Sequence, residues 1–190
     1  MKKGLKIFLL IFLIIVLLVL TSIGFLIYSA LKTPDNSKLY LDENKQPPKN
    51  PVAEISSEQA IENFNETYVW YLLYSLEAYN LHAPAFSSSN LPKIEIRLED
   101  STYNSIINKG QIIVDSRAIE GEDAVIISTK QELISMIRDK NYVEESFRNG
   151  KSSIELVAGK TELFEKGYLA LYTKITGKSI TGSAIKIFAD

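Results

Sequence analysis

The strongest pattern in the sequence is an uninterrupted apolar stretch near the N-terminus, residues 7–28. It is about 22 residues long, contains no charged side chain and is broken only by Thr21, Ser22 and Gly24. An α-helix of that length rises roughly 33 Å, which matches the hydrocarbon core of a bilayer at roughly 30 Å. The stretch is therefore predicted to be a transmembrane helix.

A cleaved signal peptide is the alternative interpretation of the same stretch. Signal peptides have an apolar core of about 7–15 residues, followed by small residues in an Ala-x-Ala-like pattern at the cleavage site. The core is longer here, and cleavage after Ala30 would place the bulky Tyr28 in that pattern. An uncleaved signal anchor is therefore favoured.

Lysines flank the stretch unevenly, and this predicts its orientation. The short basic N-terminus, residues 1–6, holds three lysines, whereas only Lys32 and Lys38 follow closely and are diluted by acids. Loops rich in Lys and Arg stay on the cytoplasmic side. We expect a single-pass protein of the cell membrane with a cytoplasmic N-terminus and an extracytoplasmic C-terminal domain.

Residues 29–55 have neither helical nor strand periodicity. They carry four prolines among Asn, Lys and Asp: Pro34, Pro47, Pro48 and Pro51. Such prolines favour extended polyproline-type backbone, which predicts a semi-stiff stalk, and plain disorder is the other interpretation. In either case the following domain is tethered away from the bilayer.

Residues 56–80 have apolar and aromatic side chains at helical spacing and predict one amphipathic helix. Ser56 and Gln59 form a capping-box pattern at its start. One face carries Ile61, Phe64, Tyr68, Tyr71, Leu72, Leu76 and Tyr79. The opposite face carries the candidate partner-facing residues Trp70, Leu73 and Tyr74. A helix that is apolar on both faces has two surfaces to cover, either inside the fold or against a lipid or protein partner.

From residue 81 onward, strand and helix patterns alternate, which predicts a small α+β domain over residues 81–190. Period-two or short apolar runs predict strands at 93–98, 111–115, 124–128 and 153–157, while 103–107 fits either a strand or a short helix. Helices are predicted after Thr129, over 142–149 before Gly150, and over 161–175. The helix at 56–80 is expected to pack on this domain.

Composition narrows the possible functions. The chain has 21 basic and 23 acidic residues and a net charge of −2. Lys2, Lys3, Lys6 and Lys32 lie beside the apolar stretch, whereas every acid follows residue 32, so the domain itself is acidic. This argues against nucleic acid binding, which depends on cationic neutralisation of phosphates. The absence of cysteine excludes disulfides, iron–sulfur clusters and cysteine nucleophiles.

Motifs for catalysis and metal binding are missing from the sequence. The Gly-Lys steps at 159–161 and 177–179 imitate the end of a phosphate-binding loop, but Ile154 and Tyr172 stand where that loop needs glycine. The single histidine, His82, cannot form a metal-ligand cluster without cysteine partners or suitably spaced acids. We expect no metal and no cofactor, and an enzyme remains an alternative only if His82 acts as its base.

Residues 93–175 resemble the sterol carrier protein 2 (SCP2) domain. That family has an aspartate entering a strand, then a Ser/Thr-capped helix, then a phenylalanine shortly before a Gly-Lys that opens the next strand. Here Asp123 enters the strand 124–128, Glu132-Leu133 lie in the capped helix, and Phe147 precedes Gly150-Lys151. The Asn108-Lys109-Gly110-Gln111 turn is similar to the family's earlier hairpin.

The resemblance implies a five-stranded sheet with helices enclosing an apolar tunnel for a fatty acyl chain or a sterol-like lipid. Burial of an acyl chain is favourable by roughly 0.8 kcal/mol per CH₂, so such a site needs an apolar lining. The candidate lining residues are Ile126, Leu133, Met136, Ile137, Phe147, Leu163, Phe164 and Leu171. Two hypotheses result: a membrane-anchored lipid-binding module, or a tethered domain with a filled core that binds a membrane or envelope protein.

Overall fold

The computed structural model describes residues 48–178 of the chain. The predicted transmembrane helix at 7–28, the basic N-terminus, most of the stalk and residues 179–190 lie outside these residues. Within 48–178, no helix has the length and apolar character needed to cross a bilayer. The membrane anchor and its orientation therefore stay predictions.

The described residues form an α+β fold, as the sequence predicts. The first part is helical, and the sheet begins only after residue 92. In chain order the elements of residues 48–178 are α1 (Ser57–Glu62), α2 (Glu66–Ser75), a 3₁₀ turn (Ala78–Asn80), β1 (Lys93–Arg97), β2 (Thr102–Asn108), β3 (Gln111–Asp115), β4 (Ala124–Ile127), α3 (Lys130–Arg138), α4 (Tyr142–Arg148), β5 (Ser153–Leu156), α5 (Lys160–Glu165) and α6 (Tyr168–Thr176).

The five strands form one mixed sheet in the order β3-β2-β1-β4-β5. β1 runs parallel to β4, and the other three neighbouring pairs are antiparallel. The predicted strands are confirmed to within a residue or two at their ends. The ambiguous segment 103–107 is strand β2, because Tyr103, Ser105 and Ile107 alternate onto one buried face.

One face of the sheet packs against the helices and forms the hydrophobic core. In β1, Ile94 and Ile96 are completely buried on this face, whereas Lys93 and Arg97 belong to the other face by strand alternation. Helix α2 contacts β3 and α3, and α4 contacts α6. A single cluster of buried apolar residues therefore joins the sheet to both groups of helices.

The predicted helix over 56–80 is divided into α1, α2 and the 3₁₀ turn. The capping box is confirmed: the Ser56 hydroxyl accepts from the Gln59 N–H, and the Gln59 side chain accepts from the Ser56 N–H. The first break comes at Asn65, whose side-chain oxygen accepts from the Thr67 N–H at 2.9 Å and starts α2. Helix α1 has already ended at Glu62, with Asn63 as its C-cap. Asparagine competes for backbone hydrogen bonds in this way and therefore favours helix caps over helix interiors.

The predicted helix over 161–175 is divided as well, into α5 and α6. Gly167 lies between them in the left-handed conformation, with φ 86°. Glycine adopts this conformation without steric cost, and an intact helix cannot contain it. The chain therefore turns sharply at residue 167 and places α5 and α6 at different orientations over the end of the sheet.

Candidate functional site

The predicted lining residues gather in one layer between the sheet and the helices. Six of them are at most 5% exposed and belong to the same apolar cluster: Ile126, Leu133, Met136, Ile137, Leu163 and Leu171. Phe147 is half-buried against this cluster, whereas Phe164 is 58% exposed on α5. We call the six buried residues and Phe147 the apolar layer.

Local sequence explains how α3 contributes to the apolar layer. The Thr129 hydroxyl accepts from the Glu132 N–H at 3.1 Å and fixes the start of the helix directly after β4. The spacing of Leu133, Met136 and Ile137 then places all three on one helical face. All three belong to the same apolar cluster as Ile126 of β4.

A buried ion pair lies beside the apolar layer, at the start of β4. The Lys166 ammonium donates to Asp123 Oδ1 at 2.7 Å, and both side chains are at most 2% exposed. Lys166 Nζ also lies 2.8 Å from Glu162 Oε1 and 2.9 Å from Asn90 Oδ1. We call these four residues and Tyr168 the ion-pair cluster.

The second oxygen of Asp123 is held by two donors. Asp123 Oδ2 accepts from the Lys93 N–H at 2.8 Å and from the Tyr168 hydroxyl at 3.1 Å. The same hydroxyl lies 3.0 Å from the Lys93 carbonyl oxygen. Burial, and then the negative charge of Asp123, raise the pKa of Tyr168 well above 10. The phenol therefore stays protonated and acts as a hydrogen-bond donor.

The ion-pair cluster connects four parts of the chain: the loop before β1, the start of β4, helix α5 with its C-cap Lys166, and the start of helix α6. The hydrogen bond from Lys166, and then that from Asn90, lower the pKa of Glu162 below its usual 4.5. In the sequence, Asp123 stands out only through the family resemblance, and no motif marks Lys166 as a buried residue. An i,i+4 spacing of Glu162 and Lys166 was the one available signal, and it resembles an ordinary surface pair.

A second polar group, which we call the serine chain, lies behind the ends of β4 and β5. The Ser128 and Ser152 hydroxyl oxygens are 2.7 Å apart, and those of Ser152 and Ser146 are 3.0 Å apart. The Ser146 hydroxyl donates to Glu132 Oε2 at 2.9 Å. All three serines are at most 6% exposed, so these bonds satisfy polar groups that are largely removed from water.

The surface of the described residues has open clefts, and none of the predicted lining residues lines either of the following two. The strand-end cleft has a volume of about 330 Å³ and is lined by Arg97, Leu98, Glu99, Ile127, Ser128, Thr129, Gly150, Lys151, Ser152 and Ser153. The loop cleft has a volume of about 320 Å³ and is lined by Pro84, Phe86, Ser87, Asn90, Thr161, Glu162 and Glu165. The assignment of the apolar layer as a ligand lining therefore stays a prediction.

The three candidate partner-facing residues do not share one environment. Leu73 is completely buried in the core. Trp70 and Tyr74 are half-buried and stack on each other, with ring centroids 5.4 Å apart and planes inclined by 16°. Only Trp70 and Tyr74 therefore present surface, and their role in binding a partner stays a prediction.

His82 lies in the loop before β1, where its ring nitrogen Nδ1 is 3.2 Å from the carbonyl oxygen of Ala83. Its backbone N–H donates to the carbonyl oxygen of Lys166. Across residues 48–178, no three His, Asp or Glu side chains converge in the manner of metal ligands. Both of these His82 contacts are to backbone carbonyl oxygens, and a role of His82 as a base stays a prediction.

No protein-family model matches the chain, and no curated protein matches it. Several solved structures are similar to it. A UbiJ-SCP2 ubiquinone synthesis protein has 13% identity and a TM-score of 0.34, over 60% of this chain and 90% of that one. Sterol carrier protein 2 like 2 from Aedes aegypti has 14% identity and a TM-score of 0.31, over 53% and 93%. Sterol carrier protein domain 2 of Helicoverpa armigera has 17% identity and a TM-score of 0.31, over 65% and 85%.

These three similar structures are all SCP2 domains by their descriptions. Their identities and TM-scores are low, so neither membership of that family nor a ligand follows from the likeness. The apolar layer, the two polar groups and the two clefts are therefore interpreted from their own geometry.

Proposed function

We propose that the described domain is a non-catalytic module that binds a lipid or another apolar ligand in the apolar layer, and that the predicted helix at 7–28 holds it at a membrane. The observation that carries the proposal is the composition of the layer. The six buried predicted residues are five branched aliphatic side chains and one methionine, within one continuous cluster. A ligand with few polar atoms requires such a lining.

The distribution of buried polar groups supports the same proposal. Asp123 and Lys166 belong to the ion-pair cluster, and three buried serines belong to the serine chain. Both groups lie at the margins of the apolar layer. Inside the core face of the sheet, the buried Ser105 hydroxyl is satisfied by the Ile94 carbonyl oxygen at 3.2 Å. An acyl chain in the layer would therefore meet carbon and sulfur atoms on most sides.

The apolar layer is buried, so ligand entry requires a local opening. Displacement of helix α5 would provide it, because α5 has only six residues and the left-handed Gly167 follows it. The same displacement would separate Glu162 from Asn90 and Lys166 from Asp123, so the ion-pair cluster opposes the opening. Leu163 of α5 is completely buried, and its neighbour Phe164 is 58% exposed. Displacement of α5 would uncover Leu163, and Phe164 would contact the ligand as it enters.

Photo-crosslinking of the full chain in lipid nanodiscs tests this function. A photoactivatable fatty acid is added and the sample is irradiated. The modified peptides are then mapped by mass spectrometry. We expect modification within α3, α5 and α6 that unlabelled fatty acid suppresses. The substitution Met136→Phe, which enlarges a side chain in the layer, should reduce it, whereas the matched substitution Ile113→Phe, at a half-exposed site on the other face of the sheet, should not. Modification confined to residues 7–28 would contradict the proposal.

Protein binding is the second candidate function, and the Trp70–Tyr74 stack favours it. Stacked aromatic side chains at a surface are typical anchors for a protein partner. A photo-crosslinking amino acid at position 70 should then give one discrete, saturable crosslinked product in cells, and the same group at position 113 should not. If both positions crosslink equally, the stack has no special role in binding.

A further inference from the structure

The strand-end cleft results from the one parallel pair in the sheet. β1 and β4 are parallel, so Arg97 and Ile127, their last residues, lie side by side at the same edge. Beyond this edge the chain leaves in different directions: β1 turns back into β2, and β4 continues into α3. Crevices at the carboxyl ends of diverging parallel strands are frequent ligand sites, and about 330 Å³ is sufficient for a small molecule.

The serine chain determines which hydrogen-bonding groups the floor of this cleft presents. Glu132 is a carboxylate, so it accepts from both the Ser146 and Tyr142 hydroxyls. The one hydroxyl hydrogen of Ser146 is thereby used, so Ser152 must donate to Ser146. Ser152 has then used its own hydrogen, so Ser128 donates to Ser152 across 2.7 Å. Ser128 is a lining residue of the cleft, and its oxygen keeps the capacity to accept one more hydrogen bond.

The cationic side chains of the cleft are already occupied. Arg97 Nε donates to Glu95, and an Arg97 terminal nitrogen lies 3.5 Å from Glu122 Oε1. Lys151 Nζ donates to the Tyr142 hydroxyl at 2.6 Å. Arg97 is balanced by Glu95 and Glu122, while the lining also holds one further ammonium, Lys151, and one carboxylate, Glu99. The cleft therefore has little net charge and favours neither an anion nor a cation.

The remaining lining combines hydroxyl groups with apolar surface. Four of the lining side chains carry hydroxyls, Ser128, Thr129, Ser152 and Ser153, and Glu99 adds a carboxylate acceptor. Leu98 and Ile127 form apolar parts of the wall, and Ile127 is 37% exposed. We infer that the strand-end cleft binds a neutral polyhydroxylated molecule, such as a sugar or a cyclic polyol. Its hydroxyls bond to the floor while its C–H face covers Leu98 and Ile127.

Methyl NMR of the full chain in phosphatidylcholine nanodiscs tests this inference. The methyl groups of Leu98 and Ile127 report on the cleft, and that of Ile113, exposed elsewhere on the sheet, is the internal control. D-glucose and myo-inositol should shift the two cleft signals saturably and leave Ile113 unchanged. Inorganic phosphate and ethanolamine, added separately, should leave all three unchanged. Nanodiscs that contain a glycosyl diacylglycerol would distinguish a lipid head group from a free sugar.

Three variants make the result specific. Ser128→Ala removes the acceptor and should weaken sugar binding about three- to tenfold. Ser153→Phe should abolish it by filling the cleft, while Glu155→Phe, on the same exposed face of β5 but outside the lining, should not. The buried Ile94 methyl signal verifies that each variant is folded. If Ser128→Ala does not fold, the comparison of Ser153→Phe with Glu155→Phe still decides the result. Shifts caused by phosphate or ethanolamine, equal shifts at Ile113, or no shift with either sugar would overturn the inference.

Discussion

Replacement of Lys166 by methionine is the most informative test of the ion-pair cluster. Methionine keeps most of the unbranched stem but removes the ammonium that contacts Asp123 at 2.7 Å. The Asp123 carboxylate, 2% exposed, is then left with two neutral donors, the Lys93 N–H and the Tyr168 hydroxyl. The reverse change, Asp123→Asn, leaves Lys166 with Glu162 as a charged partner. The two single variants should therefore differ in cost.

The expected magnitudes depend on the partners that remain. Breaking a buried ion pair and leaving one charge uncompensated costs about 3–5 kcal/mol, which is the loss of unfolding free energy expected for Lys166→Met. Asp123→Asn should cost only about 1.5–3 kcal/mol, typical of one lost hydrogen bond to a charged group. The double variant should lose less unfolding free energy than the two single variants added together, because it contains no isolated Asp123 charge. The difference from additivity should be on the order of 1–3 kcal/mol.

Urea unfolding of the full chain in nonionic detergent measures these differences. Trp70, the only tryptophan of the chain, lies half-buried on α2 and reports on the folded domain through its fluorescence. The control is Lys160→Met, which removes an exposed lysine of the same helix α5 and should leave the midpoint unchanged. The reasoning is refuted if Asp123→Asn costs at least as much as Lys166→Met, or if the two losses are additive.

Three further predictions concern individual residues near these clusters. Glu162→Gln should reduce the loss of stability in acid. The folded pKa of Glu162 is below 4.5, so the ionised glutamate stabilises the fold above that pH, and this stabilisation is lost as the pH falls through the folded pKa. A urea midpoint that falls equally with pH in the wild-type protein and the variant would contradict this prediction. Tyr168→Phe should cost about 1–3 kcal/mol by removing a donor from the buried Asp123, and an unchanged unfolding midpoint would show that the bond is dispensable. Gly150→Ala should lower the free energy of unfolding by about 1–2 kcal/mol through backbone strain alone, because φ is +71° and no atom lies within 4 Å of the added methyl. Gly150→Asn should lower it by less, because asparagine tolerates this conformation better than alanine.

The sequence predicted elements where local pattern and local chemistry agreed. The strand 111–115 and the capped helix after Thr129 are confirmed, because both are encoded by neighbouring residues: side-chain alternation in one case and a hydroxyl cap in the other. The patterns over 56–80 and 161–175 each predict one continuous helix. Asn65 and Gly167 divide them, since their capping and left-handed conformations outweigh an apolar period that continues across the break.

The polar groups of the candidate sites were beyond the reach of sequence patterns. Asp123 and Lys166 are 43 residues apart, and Asn90 is 76 residues from Lys166. Their spacing in the sequence does not indicate that Asp123 and Lys166 are in contact, because only the folding of the sheet and helix α5 brings them together. The strand-end cleft has the same origin, because Ser128 and Lys151 meet only after β4 and β5 have paired.

The sequence by itself determined the α+β class, the strand and helix periods, the long uncharged stretch at 7–28 and the acidic character of the residues after that stretch. These properties depend on residues close together in the chain, where hydrophobic spacing and caps act directly. Only the tertiary structure decided that Leu73 is core, that Lys166 is buried beside Asp123, and that the Ser128 hydroxyl contacts Ser152 at the edge of a cleft. Such features arise when distant segments exclude water from one another, because burial then determines which polar groups must find partners within the protein.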